Sequence, residues 1–205
     1  MSGGRRLGPG RLVLATHNRG KLSEIGALLA PHGIETVSAA ELGLPEPAET
    51  EETFVGNARI KAHAAAQACG LPALADDSGI EVAALGGAPG VHTADWAETP
   101  QGRDFVRAMT RTWEALEARG APEPRRARFC CTLVLAWPDG AESVFEGRVE
   151  GRIVWPMRGT QGHGYDPIFQ PDGYDITFGE MDGGLKNRIS HRAAAFAEFV
   201  GTCLG

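Results

Sequence analysis

Lysine is scarce in this 205-residue chain: only Lys21, Lys61 and Lys186 are lysine, against 17 arginines. A chain that writes Arg nearly everywhere marks the places where a compact, flexible ammonium stands. Basic charge is also short overall, with a formal net charge of −6. That balance excludes a broad cationic coat for nucleic acid or an anionic membrane surface. Long apolar runs are missing, and none reaches the roughly 18 residues of a membrane span. Residues 1–10 are rich in Gly and Arg, with Pro9, and have no apolar stretch. They are expected to be a flexible lead-in with no signal peptide. The four cysteines, Cys69, Cys130, Cys131 and Cys203, form no CxxC pair. Neighbours on a strand point to opposite faces, which argues against a Cys130–Cys131 pair; all four are expected to be small buried hydrophobes in a reducing cytoplasm, with a redox role the alternative. There is no GxSxG elbow and no histidine spacing suited to zinc.

What remains is ample for folding. Hydrophobic residues make up 42% of the chain, enough for a core, and 28 residues are glycine. Residues 11–16 read as a short buried strand, followed by a helix with Leu22, Ile25, Leu28 and Leu29 on one face. Residues 34–38 read as a second strand. Thr53 is a candidate N-cap for an Ala-rich helix ending at Gly70. Residues 72–75 and 80–85 read as two strands broken at Asp76-Asp77-Ser78-Gly79. A helix over about 102–119 follows, with Phe105, Met109, Trp113 and Leu116 on one face. Residues 129–137 and 143–155 read as a hairpin turning at Pro138-Asp139-Gly140, with bulges or a bend at Gly147 and Gly151. Ser190 is expected to cap a last helix. The alternation predicts an α/β protein, a mixed sheet with helices on its faces, in one domain over residues 11–205.

Five segments carry candidate chemistry. Thr16-His17-Asn18-Arg19-Gly20-Lys21 joins a strand to a helix start, where free N–H groups and the dipole suit phosphate. The competing reading has Asn18 as an N-cap and Lys21 as a solvated helix residue. Asp76 and Asp77 follow an apolar strand, where two carboxylates need compensation; Mg²⁺ is one answer, and ordinary turn chemistry is the other. Glu46, Glu49, Glu51 and Glu52 precede a helix, which is favourable by itself, and one of them can complete a metal site. In Gly162-His163-Gly164-Tyr165-Asp166-Pro167, glycines flank two rings, so Tyr165 either stacks on a flat ligand or packs inward. Lys186-Asn187-Arg188-Ile189-Ser190-His191-Arg192 combines a helix start with cations, as a phosphate site or a solvated end. Together these parts suit a nucleoside triphosphate hydrolase.

The motifs in their order resemble the non-canonical purine NTP pyrophosphatases, the Ham1-like dITP/XTP or inosine triphosphate pyrophosphatases. The resemblance runs from about Leu12 to Phe199. It rests on residues 14–21, Thr53-Phe54 with Asn57-Ala58 and Lys61-Ala62, residues 75–79, residues 86–90, residues 164–167 and Ser190-His191-Arg192. It implies an elongated mixed sheet flanked by helices, two lobes with a central cleft, a homodimer, and Mg²⁺-dependent release of pyrophosphate from dITP, ITP or XTP. Carried over by position, Thr16, Asn18 and Lys21 grip the triphosphate, within the loop that also holds His17, Arg19 and Gly20. Asp77 is the metal-linked acid and proton acceptor, with Asp76 beside it. Ser78 contacts the nucleotide. His163, Gly164, Tyr165 and Asp166 hold base and sugar, and Lys186, His191 and Arg192 complete the pocket. Departures are His17 for Gly, His163 for Phe and Leu185 for Glu. Ala48 stands nearest the second metal carboxylate, so Glu49 is the candidate there. Alternatives are a pyrophosphatase for other modified nucleotides and a binding module without turnover.

Overall fold

In the computed structural model, residues 5–16, 22, 25–26 and 29–204 are described. The first strand, β1 (Gly10–Leu14), pairs in parallel with β2 (Ile34–Ser38) on one side and with β3 (Ala73–Val82) on the other. A central strand buries both faces, which is why Leu12, Val13 and Leu14 form an unbroken apolar run. The sheet has six strands in the order β2-β1-β3-β6-β7-β8, with β6 at Arg126–Ala136, β7 at Glu142–Ile153 and β8 at Phe169–Pro171. β7 and β8 are antiparallel, so the sheet is mixed. A separate two-stranded ribbon joins β4 (Glu98–Thr99) to β5 (Gly102–Arg103).

The helices form where the sequence caps them. Thr53 accepts a hydrogen bond from the Gly56 N–H at 3.0 Å and starts α1 (Phe54–Cys69), and Gly70 ends it in the left-handed region. Asp104 likewise accepts from Arg107 and starts α2 (Phe105–Ala118). Two helices close the chain, α3 (Gly183–Ile189) and α4 (His191–Phe199), and Ser190 between them caps the second by accepting from Ala193. Of the helix expected after β1, Leu22, Ile25, Gly26 and Leu29 are helical, with Ile25 and Leu29 buried. Leu28 lies outside the described residues.

Three expectations are corrected. The sequence predicts a break at Asp76-Asp77-Ser78-Gly79, but β3 runs through it without interruption. Pairing within the sheet outweighs the weak strand preference of Asp and Gly. Gly151 does not interrupt β7, which runs through it. It stands opposite Pro171 of β8, and a Cβ there would press on the Gln170 carbonyl and the Phe169 ring. Lys186 does not open the last helix but lies inside the separate α3.

The chain divides into two compact units. One comprises Met1–Asp77, Thr132–Glu146 and Ala195–Gly205; the other comprises Ser78–Cys131 and Gly147–Ala194. The first has a core of small residues, including Val13, Ala58, Ala62, Ala65, Ala73 and Val134, so α1 lies close on its strands. The second has a heavier core that includes Ile80, Met109, Leu116, Phe129, Phe169 and Phe178. The lead-in residues described are tied to the first unit. The Leu7 N–H donates to the Cys203 carbonyl at 2.9 Å, and Arg5 pairs with Asp139 at 2.5 Å.

Candidate active site

In the first unit a carboxylate and ammonium cluster is assembled by α1. Its buried stripe, Asn57, Ala58, Lys61, Ala62 and Ala65, recurs at helical spacing. That stripe carries Lys61 inward, to 7% exposure. Its Nζ donates to Glu49 Oε1 at 2.5 Å and lies 4.0 Å from Asp77 Oδ1. Asn57, 3% exposed, accepts the Glu51 N–H at 2.9 Å and so pins the acidic loop that brings Glu49 in. Burial opposes the Lys61 charge. The charges of Asp77, Glu49 and Asp76, together with the Glu49 hydrogen bond, outweigh it and hold the pKa above its ordinary value.

Asp76 and Asp77 are 2% and 7% exposed. As consecutive residues of one strand they point to opposite faces, so only Asp77 faces Lys61 and Glu49. Ser78 and Thr16 are half-buried, and Thr16 directly follows the core residue Ala15. His17, Asn18, Arg19, Gly20 and Lys21 lie outside the described residues.

In the second unit a different group gathers around Asp166. Asp166 is 2% exposed, pairs with Lys186 and accepts the His163 N–H at 2.7 Å. Gly162 sits at φ 72°, and a Cβ there would run into the Asp166 carboxylate and press on Lys186 Nζ, so the loop closes on this pair only with glycine. Lys186 Nζ is also 5.6 Å from the centre of the Phe178 ring, within cation–π range. His191, 7% exposed, stacks on Phe129 at 4.9 Å and 11°. Arg192, in the first turn of α4, is half-buried.

Tyr165 takes the inward alternative. It is 1% exposed and packs edge-on against Phe105 at 6.2 Å. Its ring faces are enclosed by the core, and burial pushes its phenol up to about 12. His163 is the exposed ring of this loop, next to half-buried Gly164.

In the sequence Lys61 stands out only as one of three lysines and as part of the Lys61-Ala62 motif, with no role assigned to it. Its place in the Ala58–Ala62–Ala65 stripe was the available signal. Asn57 likewise enters the sequence reading only as part of the Asn57-Ala58 motif, and its bond to the Glu51 N–H is what the structure adds.

A divalent cation can be tested against these donors. Among the described residues, no three His, Cys, Asp or Glu side chains gather to hold a metal ion. Mg²⁺ needs fewer, because it takes hard oxygens from one or two carboxylates and completes its shell with phosphate and water. Glu49 and Asp77 fit that requirement, as two carboxylates brought to one ammonium.

Solved structures place this architecture in one class of mixed-sheet α/β proteins. The chain superimposes on a Ham1 protein from Coxiella burnetii with a TM-score of 0.88 and 39% identity, covering 93% of this chain and 96% of that one. The Staphylococcus aureus Ham1 protein gives 0.84 and 32%, with the same coverage. Residues 12–202 match the Ham1 family, and the chain belongs to it. Among curated relatives, a dITP/XTP pyrophosphatase of Ruegeria pomeroyi is 66% identical over 95% of both chains. One from Agrobacterium fabrum is 56% identical over 98% of this chain and 99% of its own.

Proposed function

We propose that the chain hydrolyses non-canonical purine nucleoside triphosphates, dITP, ITP and XTP, to the monophosphate and pyrophosphate, and so cleanses the nucleotide pool. The observation that carries the substrate class is the 66% identity, over nearly the whole of both chains, to a protein named for that activity. The chemistry is supported by a buried carboxylate, Asp77, set beside a charged Lys61 and Glu49.

Mg²⁺ held by Glu49 and Asp77, with Asp76 next in the chain, supplies charge neutralisation at the phosphates and a more acidic water. Asp77 accepts the proton of the attacking water as its oxygen bonds to phosphorus and the P–O bond to the departing pyrophosphate breaks. Thr16, Asn18 and Lys21 hold the phosphates as fixed donors and charge, within the loop of His17, Arg19 and Gly20. Ser78, His163, Gly164 and Asp166 hold the nucleoside, Lys186 adds a second fixed positive charge for the phosphates, His191 and Arg192 complete the pocket for base and phosphate, and Tyr165 supports the loop of His163 and Gly164 from the core. A donor set against the 6-oxo group of hypoxanthine or xanthine meets a second donor in adenine, and such a mismatch in a dry pocket is strongly unfavourable. The family resemblance also supports a homodimer working in the cytoplasm.

The test is pyrophosphate release with Mg²⁺ from dITP, XTP, dATP and dGTP. Preference for the 6-oxo, deaminated bases is expected, and equal kcat/KM on all four would refute base selection. Asp77→Asn is expected to lower kcat by at least about 100-fold while nucleotide binding persists. Wild-type binding of ITP with no pyrophosphate released would instead identify a binding module.

A further inference from the structure

Carboxylates taken out of water need a countercharge close by. Among the described residues of the first unit, Lys61 brings a countercharge to both Glu49 and Asp77: its ammonium bonds Glu49 at 2.5 Å and approaches Asp77 to 4.0 Å. The side chains of Lys61 and Asp77 are only 9% and 10% exposed, so that approach is built into the fold, while Glu49, at 40%, bonds the same ammonium from the solvent side. We propose that Lys61 is a stand-in cation, which neutralises Glu49 and Asp77 while no metal is present and gives them up only when a triphosphate offers its ammonium a new partner. The inference rests on the reading of Glu49 and Asp77 as Mg²⁺ ligands given above.

Two cations compete for one pair of carboxylates. Both the ammonium and a divalent cation are attracted to the same two carboxylates, and they repel each other at such short range. A metal arriving alone must therefore displace Lys61 from both carboxylates on a helix face whose neighbouring residues, Ala58, Ala62 and Ala65, are small and apolar. A metal arriving with a triphosphate brings anionic oxygens that can receive the ammonium, and the four-carbon stem gives it reach. The nucleotide-free protein thus binds Mg²⁺ weakly, and the cation enters together with its substrate. The acidic pair stays neutralised throughout, so the resting protein does not need metal to remain folded.

Calorimetric titration with MgCl₂ in the absence of nucleotide tests this on the wild type, Lys61→Met and Lys61→Arg, alongside thermal unfolding in EDTA and in Mg²⁺. Lys61→Met is expected to bind Mg²⁺ at least about 10-fold more tightly than the wild type. Its melting temperature should fall in EDTA and recover with Mg²⁺, a response absent from the wild type. Lys61→Arg, which keeps the charge, should behave as the wild type. Equal Mg²⁺ affinity in the wild type and Lys61→Met overturns the proposal, as does equal tightening in Lys61→Arg. A Lys61→Met chain that folds only with Mg²⁺ supports it, and one unfolded at every Mg²⁺ concentration overturns it. No nucleotide enters this experiment, so failure of pyrophosphate release is read separately.

Discussion

At the residue scale, the chain places its strongest ion pairs by burial and geometry and not by number. Glu142 accepts from Arg59 through both oxygens, at 2.6–3.0 Å, and lies 2.8 Å from His63 Nε2. The Arg59 hydrogen bonds, partly opposed by burial and aided by His63, pull the Glu142 carboxyl from 4.5 down to about 2. A carboxyl that ionises more readily in the folded state stabilises the fold above its unfolded value, and that contribution fades as pH falls from about 4.5 towards 2. About 1 kcal/mol is expected, after discounting for screening at a side chain still 26% exposed. Denaturant unfolding of the wild type and Glu142→Gln should show this gap at pH 7 and its closure near pH 2; a gap constant with pH would refute the assignment. The same scale explains what the sequence revealed of the site. Asp77 stands out in the sequence because two acids after an apolar strand need a compensating partner, and Asp166 only because it stands in a motif of the family resemblance. The partners themselves were not legible, since Lys61 and Lys186 reach them from residues 16 and 20 positions away. Tyr165 shows the converse: a ring between glycines suits a ligand platform, and only the packing of Phe105 against it decides otherwise.

At the element scale, local signals that close within a few residues were readable and those settled by the sheet were not. The Thr53 cap, the Gly70 stop and the 137–141 turn are contacts between near neighbours, and each stands where the sequence puts it. The unbroken β3 is the opposite case. Asp76-Asp77-Ser78-Gly79 has the composition of a turn, yet its backbone continues strand β3, which neighbours β6 in the sheet. β8 and α3 escaped notice because each is short, at 3 and 7 residues, too few for a periodic pattern. The caps can be weighed directly. Thr53→Ala removes the side-chain acceptor of the Gly56 N–H and is expected to lower stability by about 1 kcal/mol. For a chain of this size that is about 2–4 °C in melting temperature. Thr53→Ser, which keeps the hydroxyl, should recover most of it. Equal melting of all three proteins by calorimetry would show that the cap contributes nothing.

At the scale of the whole molecule, connectivity sets how the chain can come apart. The path passes from one compact unit to the other at Asp77–Ser78, Cys131–Thr132, Glu146–Gly147 and Ala194–Ala195. The first three passages fall inside β3, β6 and β7, and the last falls inside α4. Neither unit is a continuous piece of chain, and no passage is a loop that can lengthen while the elements on both sides stay intact. Unfolding one unit therefore strips backbone hydrogen bonds from strands that the other also uses. Cooperative loss of both is expected, unlike domains joined by a linker. The tryptophans allow a direct test, because Trp96, Trp113 and Trp155 belong to the second unit and Trp137 to the first. In Trp137→Phe, tryptophan fluorescence reports the second unit alone, while far-UV circular dichroism reports helices of both, α1 in the first and α2 in the second. Urea titrations followed by the two signals should coincide in midpoint and slope. A fluorescence transition separated from the dichroism transition would show that the units melt independently and that continuity of the shared strands does not couple them.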